Sequence, residues 1–211
     1  MGAKVLPGDK VTLNGKTLDP NPEPVYIAFN KPRGVVCTTD QREPDNIIDF
    51  IGYEERIFPI GRLDKFSEGL ILLTNDGDIV NKILRSVNNH EKEYVVTLNR
   101  PYEKDFIRRM SGGLPILGRI TKRCRVTAVN DQTFRIILTE GLNRQIRRMV
   151  EYLGYHAVRL KRIRIMNIRL EDLPPGYWRY LTEEELDELR ELTSHSRKNP
   201  KTHVGGHDWD E

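Results

Sequence analysis

Short apolar stretches broken by turn residues fill the first part of the chain, and the pattern predicts strands joined by tight connections more than long helices. Val5 to Leu18 holds a Pro7-Gly8-Asp9 turn and an Asn14-Gly15 pair between apolar residues, which reads as the closing hairpin of something small. Pro20-Asn21-Pro22-Glu23-Pro24 follows, and its proline rings favour a stiff, extended linker over 21–24. A new domain is predicted from Val25. Strands at Val25 to Phe29 and Gly34 to Thr38 flank the turn Asn30-Lys31-Pro32-Arg33. A short helix at Asn46 to Ile51 and a strand at Arg56 to Ile60 come next. Gly69 to Thr74 is a continuous apolar run of strand length, which predicts a strand buried on both faces. Asp78 then caps an amphipathic helix carrying Ile79, Val80, Ile83, Leu84 and Val87 on one side.

Glu93 to Leu98 alternates as a strand, and Tyr102 to Met110 reads as a helix ended by Gly112-Gly113. Arg123 to Val129 and Thr133 to Glu140 form a hairpin at Asn130-Asp131. Another helix starts after Asn143, with Asn143 as its cap, Ile146, Met149, Val150 and Leu153 as its core stripe, and Gly154 as its stop. The acidic helix Thr182 to Leu192 covers the domain through Leu186 and Leu189. Beyond it the chain is aperiodic, and 193–211 is expected to be a flexible tail. Hairpins are as frequent as crossovers and no repeat is visible. The fold class expected is therefore α+β, a mixed and largely antiparallel central sheet flanked by helices, occupying 25–192.

At 211 residues and 31% charged, the chain suits one large or two small soluble domains. No apolar run approaches the roughly 18 residues of a membrane span, and the first residues lack a signal-peptide core, so a cytosolic location is expected. Cys37 and Cys124 are isolated thiols, read as reduced side chains. Neither they nor His90 and His156 have partners at metal-binding or catalytic spacing, and no glycine-rich phosphate loop is present. No metal or nucleotide cofactor is expected. Charge placement is more telling than the net charge of +3. Arg108 to Arg169 holds fifteen Lys/Arg against three acids, a balance of +12 that leaves −9 for the rest. Within it Lys122-Arg123-Cys124-Arg125, Arg144-Gln145-Ile146-Arg147-Arg148 and Arg159-Leu160-Lys161-Arg162-Ile163-Arg164 interleave cations with apolar residues. Folded elements with one basic face read this way, and a polyanion is the implied partner.

The candidate chemistry centres on Gly61-Arg62-Leu63-Asp64-Lys65-Phe66-Ser67-Glu68-Gly69-Leu70. It places one carboxylate between two cations that favour its charged form, on a turn feeding the buried strand. A lone turn aspartate usually bonds its own backbone, and the two neighbouring cations weigh against that reading. In the helix after Asn143, Arg147 lies on the flank of the core stripe and suits a half-buried ion pair. Arg144, in the first turn, opposes the helix dipole and calls for an anion such as phosphate. Two other readings stay open: a non-catalytic RNA-binding protein, and a glycoside or nucleoside hydrolase using Asp64 and Glu68 as a carboxylate pair.

Three segments carry a resemblance. Phe58-Pro59-Ile60-Gly61-Arg62-Leu63-Asp64, Glu91-Lys92-Glu93-Tyr94 and Gly141-Leu142-Asn143-Arg144-Gln145-Ile146-Arg147-Arg148-Met149 resemble, in order, the motifs of the RsuA-type pseudouridine synthases. The match covers nearly all of Val25 to Leu189. Asp45 to Phe50, Val80 to Arg85 and Arg164 to Asn167 are most similar to the ribosomal large subunit pseudouridine synthase F branch. The resemblance implies the pseudouridine synthase fold, no cofactor, and an RNA partner. The uridine is expected in 23S ribosomal RNA, with 16S ribosomal RNA or tRNA as the alternatives. It further implies that Asp64 is the nucleophile, that Tyr94 stacks on the target base, and that Arg147 pairs with Asp64. Arg62, Leu63, Lys65, Arg144, Gln145, Ile146 and Arg148 would then meet the RNA. Family members carry an amino-terminal S4 domain, so 1–20 is expected to be an S4-like remnant. With no apolar stripe left over, a monomer is expected.

Overall fold

The computed structural model of the chain describes residues 11–18, 23–87 and 89–194. Strands β1 (Val11–Leu13) and β2 (Lys16–Leu18) pair antiparallel. Asn14 and Gly15 join them with φ of 52° and 81°, the left-handed pair that a two-residue hairpin needs and that Asn-Gly adopts at least cost. Residues 21–22 of the expected linker, 195–211 of the expected tail, and 1–10 and 19–20 of the expected remnant lie outside the described residues.

The following elements are β3 (Tyr26–Lys31), α1 (Ile47–Ile51), β4 (Phe58–Ile60), β5 (Glu68–Thr74), α2 (Gly77–Val87) and β6 (Lys92–Leu98). Then come α3 (Phe106–Gly112), β7 (Pro115–Ile116), β8 (Arg119–Ile120), β9 (Arg125–Ala128), β10 (Thr133–Leu138) and α4 (Gln145–Tyr152). The chain continues through β11 (Ala157–Ile165), β12 (Ile168–Arg169), β13 (Trp178–Tyr180) and α5 (Glu183–Ser194). A nine-stranded sheet runs β13-β3-β5-β11-β6-β10-β9, with β12 on β11 and β4 on β5. Its pairs are antiparallel except β5 with β11, so the mixed, largely antiparallel sheet is present as expected.

The alternation of β5 explains the layering. Leu70 and Leu72 join Ile79 and Ile83 of α2 and Leu189 of α5 on one face. Ile71 and Leu73 join Ile27, Phe29, Ile47 and Leu63 on the other. The continuous apolar run is thus a strand covered on both sides. Around β6 and β10, Val96, Leu98, Phe134 and Ile136 pack with Phe106 and Met110 of α3 and Met149 and Val150 of α4. Thr182 and Glu185 close α5 with a reciprocal cap, Glu185 N to Thr182 Oγ1 at 3.2 Å and Thr182 N to Glu185 Oε1 at 3.0 Å.

Several expected boundaries are corrected. Gly34 to Thr38 forms no strand; Val36 makes a single bridge to Asn46, because this segment covers Ile47 and Leu63 instead of extending the sheet. Asp76, not Asp78, caps α2, its Oδ1 accepting from Asp78 N at 3.1 Å. The helix read from Tyr102 starts at Phe106, since Tyr102 N is taken by the Asp131 carbonyl at 3.0 Å. β11 carries alternating cations that read as a basic face, and they hid a central strand.

At Gly69 the parallel pair comes unusually close. Its φ is 110°, and a Cβ there would meet the Arg162 carbonyl oxygen at 2.1 Å and its nitrogen at 2.7 Å. A side chain at this point would force β5 and β11 apart. Gly69→Ala is expected to cost about 3 kcal/mol or more in urea unfolding, from overpacking and backbone strain together. Gly77→Ala, in the first turn of α2 with a Phe58 ring carbon 4.0 Å away, should change stability by less than about 1 kcal/mol.

Candidate active site

Asp64 sits on the turn between β4 and β5. Gly61, at φ 80°, swings the chain off β4, and Ser67 N donates to the Asp64 carbonyl at 3.0 Å. Buried Leu63 anchors the turn in the core. Lys31, fully buried at the end of β3, ties it down from below. Its ammonium donates to the carbonyls of Pro32 at 3.0 Å, Val35 at 2.8 Å and Lys65 at 3.2 Å. Burial lowers its pKa to about 8, against the upward pull of the Asp64 and Glu68 charges.

Helix α4 supplies the counter-charges. Arg144 occupies its N-cap with φ 46°, a left-handed conformation that costs an arginine roughly 1–2 kcal/mol. From there Nη1 donates to Asp64 Oδ2 at 3.4 Å. The expected cap, Asn143, instead receives Arg148 through its Oδ1 at 2.7 Å and its carbonyl at 3.0 Å. Arg147 Nε lies 3.8 Å from the same Asp64 Oδ2. Its other nitrogens donate to the Ala157 carbonyl at 3.2 Å and Ser67 Oγ at 3.1 Å. Burial pulls the Arg147 pKa down; Asp64 pulls it up, while Arg144 and Arg33 add cationic repulsion. The Asp64 side chain stays 18% exposed, so it is held but reachable.

These groups open onto a cavity of about 580 Å³. Of the ten residues singled out in the sequence, Arg62, Leu63, Asp64, Tyr94, Arg144, Gln145, Ile146 and Arg147 line it. Lys65 and Arg148 do not. Lys65 reaches Asp45 at 3.4 Å, and Arg62 is exposed at the rim, so the cations nearest Asp64 in space are Arg144 and Arg147 and not its sequence neighbours. Buried Gln145 donates Nε2 to Glu140 Oε2 at 3.1 Å and accepts from Leu142 N at 3.2 Å, which fixes the loop ahead of α4. Glu68 is bound by Arg159, with Nη2 to Oε1 at 2.7 Å, and does not line the cavity. Among the described residues no group of three or more His, Cys, Asp or Glu is placed to hold a metal ion. No helix among them is long and apolar enough to cross a membrane.

Sequence reasoning missed Ser67, Lys92 and Arg162, all of which line the cavity. Ser67 follows Asp64 by three residues and Lys92 precedes Tyr94 by two, but nothing in one dimension separates them from ordinary turn and strand residues. Arg162 was read as part of a basic face. A register shift between Arg162 and Arg164 lets both run inward: Arg162 Nε donates to the Leu70 carbonyl at 2.8 Å, and Arg164 Nη2 pairs with Glu91 at 2.9 Å. Part of the basic segment is therefore internal structure.

Comparison with known proteins gives the family. Residues 25–152 match the sequence family described as RNA pseudouridylate synthase. The chain is 53% identical over 203 residues to the dual-specificity RNA pseudouridine synthase RluF of Escherichia coli K12, covering 95% of this chain and 70% of that protein. It is 35% identical to the ribosomal large subunit pseudouridine synthase B of Bacillus subtilis, over 93% of this chain and 84% of the relative. A crystal structure described as a pseudouridylate synthase superposes with a TM-score of 0.73 at 31% identity, covering 89% of this chain and 83% of that one. The chain belongs to the RNA pseudouridylate synthase family and is an isomerase that converts uridine to pseudouridine in RNA.

Proposed function

We propose that this chain isomerises a specific uridine of 23S ribosomal RNA, with Asp64 as its nucleophile. One observation carries the reading. A reachable carboxylate, clamped by two arginines at one oxygen, lies in a cavity of about 580 Å³ that also exposes Tyr94. That volume is within the roughly 300–1,000 Å³ of small-molecule sites and suits one flipped nucleotide better than a duplex. The name of the Bacillus subtilis relative supports a large-subunit target. The dual specificity in the name of the Escherichia coli relative supports a second RNA, for which a tRNA stem-loop is the candidate.

Isomerisation must break the N1–C1′ bond, turn the uracil, and join C5 to C1′. These atoms are out of reach in a stacked helix, so the nucleotide must flip, at a cost of a few kcal/mol that contacts to the backbone offset. Exposed Arg62 at the rim is suited to that contact. Asp64 attacks either C6 of the ring or C1′ of the sugar. In both routes its charge passes to the uracil and returns when the carboxylate is released. The proton on C5 is lost and N1 gains one, so composition is unchanged. Tyr94 stacks on the ring and is the group placed to receive the C5 proton. Arg147, itself fixed by Ser67 and Ala157, keeps Asp64 aimed.

Asp64→Asn is expected to lower tritium release from RNA carrying uridine tritiated at C5 by at least about 10³-fold. RNA affinity should stay within about threefold, because Asn keeps the shape of the site. Ser67→Ala leaves a buried guanidinium N–H unpaired, and urea unfolding should show a loss of about 1–3 kcal/mol.

A further inference from the structure

Among the described residues two lysines are buried, and they differ in how their charge is met. Lys31 has three carbonyls within 3.2 Å, a complete set for an ammonium that serves structure. Lys92 has no such set. It is 5% exposed and opens β6, two residues before Tyr94, so the two side chains leave the same face of the strand into the same cavity. Its cross-strand neighbours are Leu138 and Ile165, both buried. Among the described residues its ammonium has one acceptor, the Glu140 carbonyl at 3.4 Å, near the far limit of a hydrogen bond. The Glu140 carboxylate is held elsewhere, its Oε2 accepting from Lys122 N at 2.7 Å and Gln145 Nε2 at 3.1 Å. No carboxylate of the described residues forms an ion pair with Lys92. Burial, with Arg162 adding repulsion, lowers its pKa to about 8 against the pull of Glu140. A buried cation without an anion is costly to hold, and here it faces the space where the substrate base must lie.

We propose that Lys92 is a catalytic residue whose ammonium donates to a ring carbonyl of the flipped uracil and holds the negative charge the ring acquires. This rests on the uridine isomerisation assigned to the same cavity. If Asp64 attacks C1′, the N1–C1′ pair leaves on uracil and spreads to O2 and O4, while Asp64 becomes a neutral ester. If it attacks C6, the ring double-bond pair moves to C5 and O4. Either way one negative charge moves from Asp64, facing Arg144 and Arg147, to a ring facing Lys92. When C5 joins C1′, Asp64 is released as a carboxylate, the C5 proton departs, N1 is protonated, and Lys92 is unchanged. A fixed cation where charge develops acts on the transition state more than on the bound substrate.

The test compares wild type, Asp64→Asn, Lys92→Met and Lys92→Arg in single-turnover tritium release. The substrate is 23S ribosomal RNA transcribed with C5-tritiated uridine, followed from about pH 6 to 9. Filter binding and urea unfolding accompany each variant. Lys92→Met should lose about 10²–10³-fold in rate, with RNA affinity within about threefold and stability equal or greater, since a desolvated charge has been removed. Lys92→Arg should regain part of the loss. The wild-type rate should fall as pH rises through about 8, and Lys92→Met should lack that fall. The charged and titratable groups facing Lys92 are Glu140, Arg162 and Tyr94, with Cys37, Arg62, Asp64, Arg144 and Arg147 on the cavity walls, so the difference between variant and wild type isolates the lysine. A Lys92→Met rate within about threefold of wild type, or a loss matched by RNA affinity or stability, overturns the proposal. If wild type is active and Asp64→Asn silent, that result removes Lys92 alone; a wild type that releases no tritium removes the uridine reading and Lys92 together.

Discussion

The contact that the rest of the molecule serves is the one between the Asp64 carboxylate and the first turn of α4, 80 residues later in sequence. Two guanidinium groups converge on one carboxylate oxygen, and each is positioned by something other than Asp64. Arg144 reaches it from a left-handed cap, and Arg147 from a buried seat against Ser67 and the Ala157 carbonyl. The distances of 3.4 and 3.8 Å describe a loose clamp, one that neutralises the carboxylate without occupying it. A tighter bidentate pair would be more stable and would leave the carboxylate less reachable. Gly69 pressed against Arg162, and Lys31 capping three carbonyls beneath the turn, both keep that clamp in register.

Placing so many cations in one domain raises the question of what neutralises them. Arg159 is met by Glu68, Arg164 by Glu91 and Arg179 by Glu185, with separations of 2.7, 2.9 and 2.7 Å. Buried Arg162 is met by the Leu70 carbonyl. The surface left for a polyanion is accordingly smaller than the sequence count implies. It includes exposed Arg62 at the cavity rim and exposed Arg119, Lys122, Arg123 and Arg125 on and after the β7–β8 ribbon. The first group lies at the cavity; the second lies beyond its lining residues.

What could be read in one dimension depended on how local its cause was. The Asn14-Gly15 hairpin, the doubly buried β5 and the core stripe of α4 follow from turn chemistry and periodicity, and they stand where the residues put them. Asp64 could be singled out as a turn carboxylate between cations, but its working cations are remote in sequence. Only folding brings Arg144 to it, and flanking Lys65 turns away to Asp45. β11 was hidden because its alternation is between outward cations and inward ones, a pattern that requires a bulge and buried carbonyl acceptors to be stable. Lys92 looked like an ordinary strand cation because burial, and the absence of a carboxylate partner among the described residues, are properties of the assembled sheet.

The link between this geometry and uridine isomerisation is most directly checked in the cell. Pseudouridines in total RNA can be mapped by carbodiimide modification and reverse transcription in cells with the gene, without it, and with the Asp64→Asn form restored in its place. A signal in 23S ribosomal RNA should vanish on deletion, return with the wild-type gene, and stay absent with Asp64→Asn. A map that is the same in all of these cells, or a signal that the Asn form restores, would contradict Asp64 as the nucleophile of a uridine isomerase.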